Sequence, residues 1–244
     1  MAKLTPKQIA DLESTIIDTS VAIAHFRVLC YGDVGTGKTT WACRSGRKTL
    51  VIDCSEGWIV EKDNPNITFM KYDSLEQLTA VAKAIEEGLD GWDYEVVVLD
   101  ELSAMYQLDL DYVVSTYVSK GGTRDDNVPE QRDYLACQQR VMRAVNAILA
   151  APVNVVILAH ERRTKDDKTG VVMMESDFAP RLNKEVNRTL HVTGRLALSK
   201  TGEREFQVLP TKGIQAKTRL PVENNTTLSE ILALNNKETS NGSI

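Results

Sequence analysis

At 244 residues, with 42% hydrophobic and 26% charged side chains, the chain is long enough to bury its own core and has an ordinary globular make-up. No run approaches 18 uncharged apolar residues, which excludes a helical membrane span, and Cys30, Cys43, Cys54 and Cys137 form neither a C-x-x-C pair nor a metal-ligand spacing with histidine. The net charge of -5 speaks against a uniformly nucleic-acid-binding surface, yet 151–244 carries 14 Lys+Arg against 11 Asp+Glu, and 181–219 carries 9 against 3, so a local basic surface is compatible with the chain.

The opening stretch MAKLTPKQIADLESTIID is amphipathic and lacks the basic patch and apolar run of a signal peptide, so 1–24 is expected to form a helix and the protein to stay in the cytoplasm. HFRVLCYG (25–32) reads as a buried strand that enters a glycine loop, and TTWACRSGRK (39–48) as a helix closing near Gly46. TLVIDCSEG (49–57) and TFMKYD (68–73) are the next strands. LEQLTAVAKAIEEG (75–88) has helical spacing and a glycine stop. YEVVVLDEL (94–102) and VNVVILAHE (153–161) are continuously apolar, as strands become when helices cover both faces of a parallel sheet. Between them two helical stretches, 104–119 and 130–151, flank the polar break KGGTRDDNVP.

The stretch 161–184 is polar, short of periodic signal and long enough to be a functional or mobile loop. TLHVTGRLALS (189–199) and REFQVLPT (204–211) flank the turn KTGE and predict an antiparallel hairpin that extends the sheet. The last residues, NNKETSNGSI, have the composition of a disordered tail. The fold class is therefore α/β with a mostly parallel sheet, a core over 25–222 and a C-terminal segment over 223–244.

Gly32-Asp33-Val34-Gly35-Thr36-Gly37-Lys38-Thr39 fits the pattern G-x-x-x-x-G-K-[ST] and sits between a strand and a helix. Its backbone N–H groups, with Thr40 following, can cradle phosphate oxygens, Lys38 can reach the terminal phosphates, and the Thr39 hydroxyl can ligate Mg²⁺. Asp100, at the end of VVVLD, suits the carboxylate that Mg²⁺ needs beside those phosphates. Glu56 and Glu101 compete for the role of base toward the attacking water, with Glu56 preferred. His160 closes the strand VILAH on the side of an open α/β sheet where ligands bind, placed to sense a γ-phosphate.

In order along the chain, these parts resemble the RecA-type P-loop ATPase core, and most of all its compact phage-encoded members, some of which act in single-strand annealing and recombination. LVIDCSEG is similar to the family's IDTEG segment, VVVLDELSAM to its Mg²⁺ strand, VVILAH to the strand that couples ATP to a DNA loop, and AKTRLP to its K-x-R segment. The DE pair at 100 and 101 also resembles the arrangement in which the second acid activates water. The resemblance covers 25–222. It implies ATP and Mg²⁺ as cofactors, DNA-stimulated hydrolysis at subunit interfaces, single-stranded DNA as partner, and self-association into a filament or ring. It further implies Arg124 in the first DNA loop, Arg162, Arg163 and Lys165 in the second, and Lys217 and Arg219 as fingers reaching a neighbour's ATP. Single-strand-binding or replication proteins would be further partners, in the cytoplasm of a bacterial host. A ring-forming helicase or loader motor and a nucleotide-dependent protein-binding switch are the rival readings.

Overall fold

The computed structural model describes residues 24–119, 128–165, 167, 168 and 170–238, together with Thr5 and Lys7. Most of 1–24, the tail 239–244 and Arg124 lie outside the described residues.

Five apolar runs become parallel strands: β1 (Arg27–Gly32), β2 (Thr49–Asp53), β3 (Ile67–Lys71), β4 (Val96–Asp100) and β5 (Asn154–Lys165). The helices alternating with them are α1 (Lys38–Cys43), α2 (Leu75–Glu86), α3 (Leu102–Ser119) and α4 (Gln131–Ala150). Local chemistry sets their ends. The Ser74 hydroxyl accepts from the Gln77 N–H at the start of α2, and Glu130 and Asp133 exchange side-chain and backbone bonds in a capping box at the start of α4.

Alternate residues of each strand feed opposite faces. Leu29, Leu50, Val97, Leu99, Val155 and Ile157 meet α2, α3 and α4, while Val28, Cys30, Val51, Val98, Val156 and Leu158 meet the other cluster. Both faces are buried, which is why the strands read as unbroken hydrophobic runs. Ile157 lies in the central strand and is fully buried. Replacing it by alanine is expected to cost about 2–5 kcal/mol, read as a fall in the urea midpoint of unfolding, because the close-packed site cannot collapse around the gap.

The C-terminal third departs most from expectation. The polar stretch 161–184 is not a loop: β5 runs on to Lys165 and pairs antiparallel with β6 (Val172–Ser176), and α5 (Pro180–Thr189) follows. α5 opens with Pro180 at its first turn and buries Leu182 and Val186, four residues apart. The expected hairpin is present as β7 (Val192–Leu198) and β8 (Arg204–Gln207), with β7 parallel to β1 and β8 antiparallel to β7. The short β9 (Lys217–Thr218) also pairs with β7, and α6 (Leu228–Glu238) sends Leu228, Ile231 and Leu232 into the second face of the core.

Among the described residues the sheet has nine strands, in the order β3-β2-β4-β5-β1-β7-β8, with β6 on β5 and β9 on β7. This is the α/β class expected, helices on both faces of a mostly parallel sheet with an antiparallel hairpin at its end. The order also places the chemistry. β5 lies between β1 and β4, Gly32 is level with His160, and Leu99 is level with Ile157, so the glycine loop, His160 and Asp100 emerge side by side at one edge.

Candidate active site

The glycine loop follows β1 without a break and is tied to itself. Asp33 accepts from the Val34 N–H through Oδ1, and its carbonyl accepts from the Thr36 hydroxyl. Gly35 and Gly37 sit at φ 77° and 87°, a left-handed backbone that glycine adopts without strain. Gly32 is required for another reason: a Cβ there would stand 2.2 Å from the Leu196 carbonyl oxygen, so the loop rests directly on β7. Val34 projects at the tip, 77% exposed.

Below this loop lies a cleft of about 390 Å³ whose walls include Gly35, Gly37, Lys38, Thr39, Thr40, Asp100, Glu101 and His160. Lys38 is buried, and its ammonium donates to the carbonyls of Gly32 (3.1 Å) and Asp33 (3.2 Å). The Thr39 hydroxyl donates to Asp100 Oδ2 at 2.7 Å. Burial pushes the Asp100 carboxyl up to about 6 against the pull of that bond, and the neighbouring Asp53 charge adds to the rise.

Glu101 is buried in the same cleft. Its Oε2 accepts from His160 Nε2 at 2.6 Å, whereas Oε1 lies 3.6 Å from the Lys38 ammonium and has no hydrogen-bond partner. Burial raises this carboxyl to about 7, with Lys38 pulling the other way. Burial and the Lys38 charge lower His160, with Asp177 and Asp33 pulling the other way. The folded chain without metal or nucleotide thus binds protons at Asp100 and Glu101 that the unfolded chain has released. Stability from these groups is full below pH 4 and falls as pH rises through 7. Glu101→Gln is expected to remove on the order of 3 kcal/mol of that loss, flattening the denaturant midpoint between pH 5 and 7.5 in the metal-free protein.

Glu56, the base preferred from sequence, is not part of this cleft. It is exposed, turns at φ 58°, and lines a separate hollow with Asp53, Phe69 and Lys71. Two further residues do line the cleft and were missed in the sequence: Ser55, and Arg204 from the far hairpin, whose Nε donates to the Thr36 carbonyl at 3.1 Å.

Lys217 and Arg219 do not reach the cleft either. β9 joins β7 at Val192 and Thr193, level with the first half of β1, away from the glycine loop. Lys217 donates to the carbonyls of Asn187 and Leu190, and Arg219 to that of Arg188, so both engage the C-terminal end of α5. On the β5–β6 hairpin, Arg162 pairs with Glu175 (3.0 Å), Arg163 pairs with Glu161 (3.3 Å) and lies 3.8 Å from Asp33, and Lys165 is exposed. Beneath them Glu161 is buried against Arg195.

The donor set fits a magnesium nucleotide. A hydroxyl and a carboxylate already in contact are hard oxygen ligands, and the unpartnered Glu101 oxygen faces the same cleft as Lys38 and the loop amides. Among the described residues no group of three or more His, Cys, Asp or Glu is placed to hold a metal by itself, so phosphate and water oxygens would complete the shell. No described helix is long and apolar enough to cross a membrane.

Comparison with curated proteins returns no match. Among solved structures the chain is similar to the RadB recombinase, at 13% identity and TM-score 0.43, over 77% of this chain and 84% of that one. It is also similar to a KaiC-like protein from the hyperthermophilic archaeon Pyrococcus horikoshii OT3, at 14% identity and TM-score 0.43, over 82% of this chain and 84% of that one. The family described as an AAA domain matches residues 24–220, nearly the whole of the chain that carries the sheet and the cleft, and the chain belongs to that family.

Proposed function

We propose that the chain is an ATPase that hydrolyses ATP in the Lys38–Glu101–His160 cleft and uses the bound nucleotide to control its grip on single-stranded DNA. The observation that carries the hydrolytic half is Glu101: a buried carboxylate, held near neutrality, with one oxygen oriented by His160 and the other unpartnered beside Lys38. Lys38 and the amides of the glycine loop hold the phosphate chain. Thr39 and Asp100 would hold Mg²⁺, which would supply positive charge against the phosphates. Glu101 takes a proton from the attacking water at Oε1, and His160 keeps the carboxylate in position through Oε2.

Coupling to DNA runs along β5. His160 is followed at once by Glu161, which anchors both Arg195 and Arg163, and the hairpin beyond it carries Arg162, Arg163 and Lys165. These cations, with Arg124 from the 120–129 stretch, contact DNA phosphates, so binding weakens with salt. Aromatic side chains are sparse on this stretch, which makes the binding weakly selective for sequence. Fluorescence anisotropy of a labelled single-stranded oligonucleotide at moderate salt tests this: Mg-ATP should tighten binding, and no tightening would sink the coupling.

The chain works as a filament or ring in recombination or annealing, with Lys217 and Arg219 leaving their bonds to α5 to reach a neighbour's cleft. Their position away from their own cleft supports this reading. Turnover per chain is expected to rise with protein concentration in the parent and to stay flat in a Lys217→Ala, Arg219→Ala variant. A parallel rise in both would leave these residues only their bonds to α5.

A further inference from the structure

One buried side of α5 is polar. Asn183, 5% exposed, and Asn187, half-buried, stand four residues apart on the same side of the helix, next to the apolar pair Leu182 and Val186. Asparagine is a poor helix former, and a buried amide costs stability unless both its ends are bonded. Here both are. Asn183 Nδ2 donates to Glu175 Oε2 at 3.2 Å, and its Oδ1 accepts from Ser176 Oγ (3.0 Å), Gln215 Nε2 (3.1 Å) and Asn187 Nδ2 (2.6 Å). Asn187 Oδ1 in turn accepts from the Thr193 hydroxyl at 2.7 Å. A carboxylate can only accept, so both amides are turned the same way, with their N–H groups toward Glu175.

The row joins two functional segments. At one end Glu175 Oε1 accepts from Arg162 Nε (3.1 Å) and Thr164 Oγ1 (3.2 Å), both on the part of β5 that pairs with β6. At the other, Lys217 donates to the backbone carbonyls of Asn187 and Leu190, and Gln215, the partner of Asn183, stands two residues before it. Lys217 makes no ion pair among the described residues, so carbonyl dipoles at the end of a helix hold it, and no opposite charge does.

We propose that Asn183 and Asn187 are positioning residues that carry the state of Arg162 to Lys217, so that a strand held by the hairpin frees Lys217 from α5. The inference rests on reading the hairpin as the DNA contact and Lys217 as a finger for a neighbour's cleft. While Arg162 sits on Glu175, its charge offsets that of the carboxylate. When a DNA phosphate takes the guanidinium, Glu175 keeps its full charge and pulls harder on the Asn183 amide. The aligned Asn187 amide follows, because hydrogen bonds in series polarise one another. Asn187 also carries one of the two carbonyls that hold Lys217, so a shift of this last turn of α5 loosens the lysine.

The ratio of phosphate release with a single-stranded oligonucleotide to release without it tests the assignment. Asn187→Ala puts a good helix former at a half-buried position and keeps the backbone carbonyl that holds Lys217. It is expected to lower that ratio about fivefold, with oligonucleotide-free turnover and oligonucleotide affinity within about twofold of the parent. Asn183→Ala should do the same, and if that buried position does not tolerate the change, Asn187→Ala decides alone. A parent-like ratio in Asn187→Ala would overturn the relay and leave the DNA reading standing, whereas a parent that the oligonucleotide does not stimulate would overturn both. Acetylation of lysines in the unaltered chain, read by mass spectrometry, gives a check independent of any variant. At low salt and without nucleotide, saturating oligonucleotide should raise the labelling of Lys217 about fivefold. Labelling of Lys217 that the oligonucleotide leaves unchanged would overturn the proposal.

Discussion

Glu101→Gln is expected to lower ATP turnover by about 10²–10⁴-fold while leaving Mg-ATP bound, the range that a positioned general base contributes. Glutamine keeps the shape and can still accept from His160 through its amide oxygen, but it cannot take a proton. The Lys38 ammonium keeps its two carbonyl partners, Gly32 and Asp33, so the glycine loop stays anchored. Glu56→Gln should change turnover by no more than a few-fold, because its carboxylate is exposed outside the cleft. Phosphate release, paired with equilibrium binding of ATP, separates the two. A Glu56→Gln variant that binds ATP and fails to turn it over, beside an active Glu101→Gln, would reverse the assignment.

The second large effect belongs to Lys38. Lys38→Ala removes the only ammonium that lines the cleft among the described residues and with it the charge 3.6 Å from Glu101 Oε1. Loss of a preorganised charge of this kind costs about 10²–10³-fold in turnover. It should also move the pH profile. Lys38 pulls the Glu101 carboxyl down against its burial, so without the lysine the carboxyl rises above about 7. A base works only when deprotonated, and the rising limb of residual activity therefore shifts to higher pH. A lysine that served packing alone would lower activity without moving that limb.

Much of this site could be read in the sequence because its parts are local. The glycine loop is a contiguous eight-residue pattern, and Asp100 and His160 each close an apolar run whose strand identity is plain from composition. The choice between Glu56 and Glu101 could not be made that way. Asp53 and Asp100 are level in the sheet, but Glu56 comes three residues after Asp53 on a turn that carries it outward, whereas Glu101 follows Asp100 directly into the cleft. Arg204 was invisible for a different reason, since its bond to Thr36 spans 168 residues.

The stretch after His160 shows the same limit in the fold. ERRTK is charged on successive residues because it pairs with β6 beyond the covered sheet, where no alternation is imposed by a core. α5 did leave signals, Pro180 at its start and Leu182, Val186 and Leu190 at four-residue intervals, but they sit among charged and amide side chains that mask the period.

The measurement that bears most directly on the account is release of inorganic phosphate from Mg-ATP by the full chain, with and without a single-stranded oligonucleotide. Repeated turnover that stops when Mg²⁺ is withheld and quickens with the oligonucleotide is the expected result. ATP held in the cleft but left intact, with DNA or without it, would contradict it.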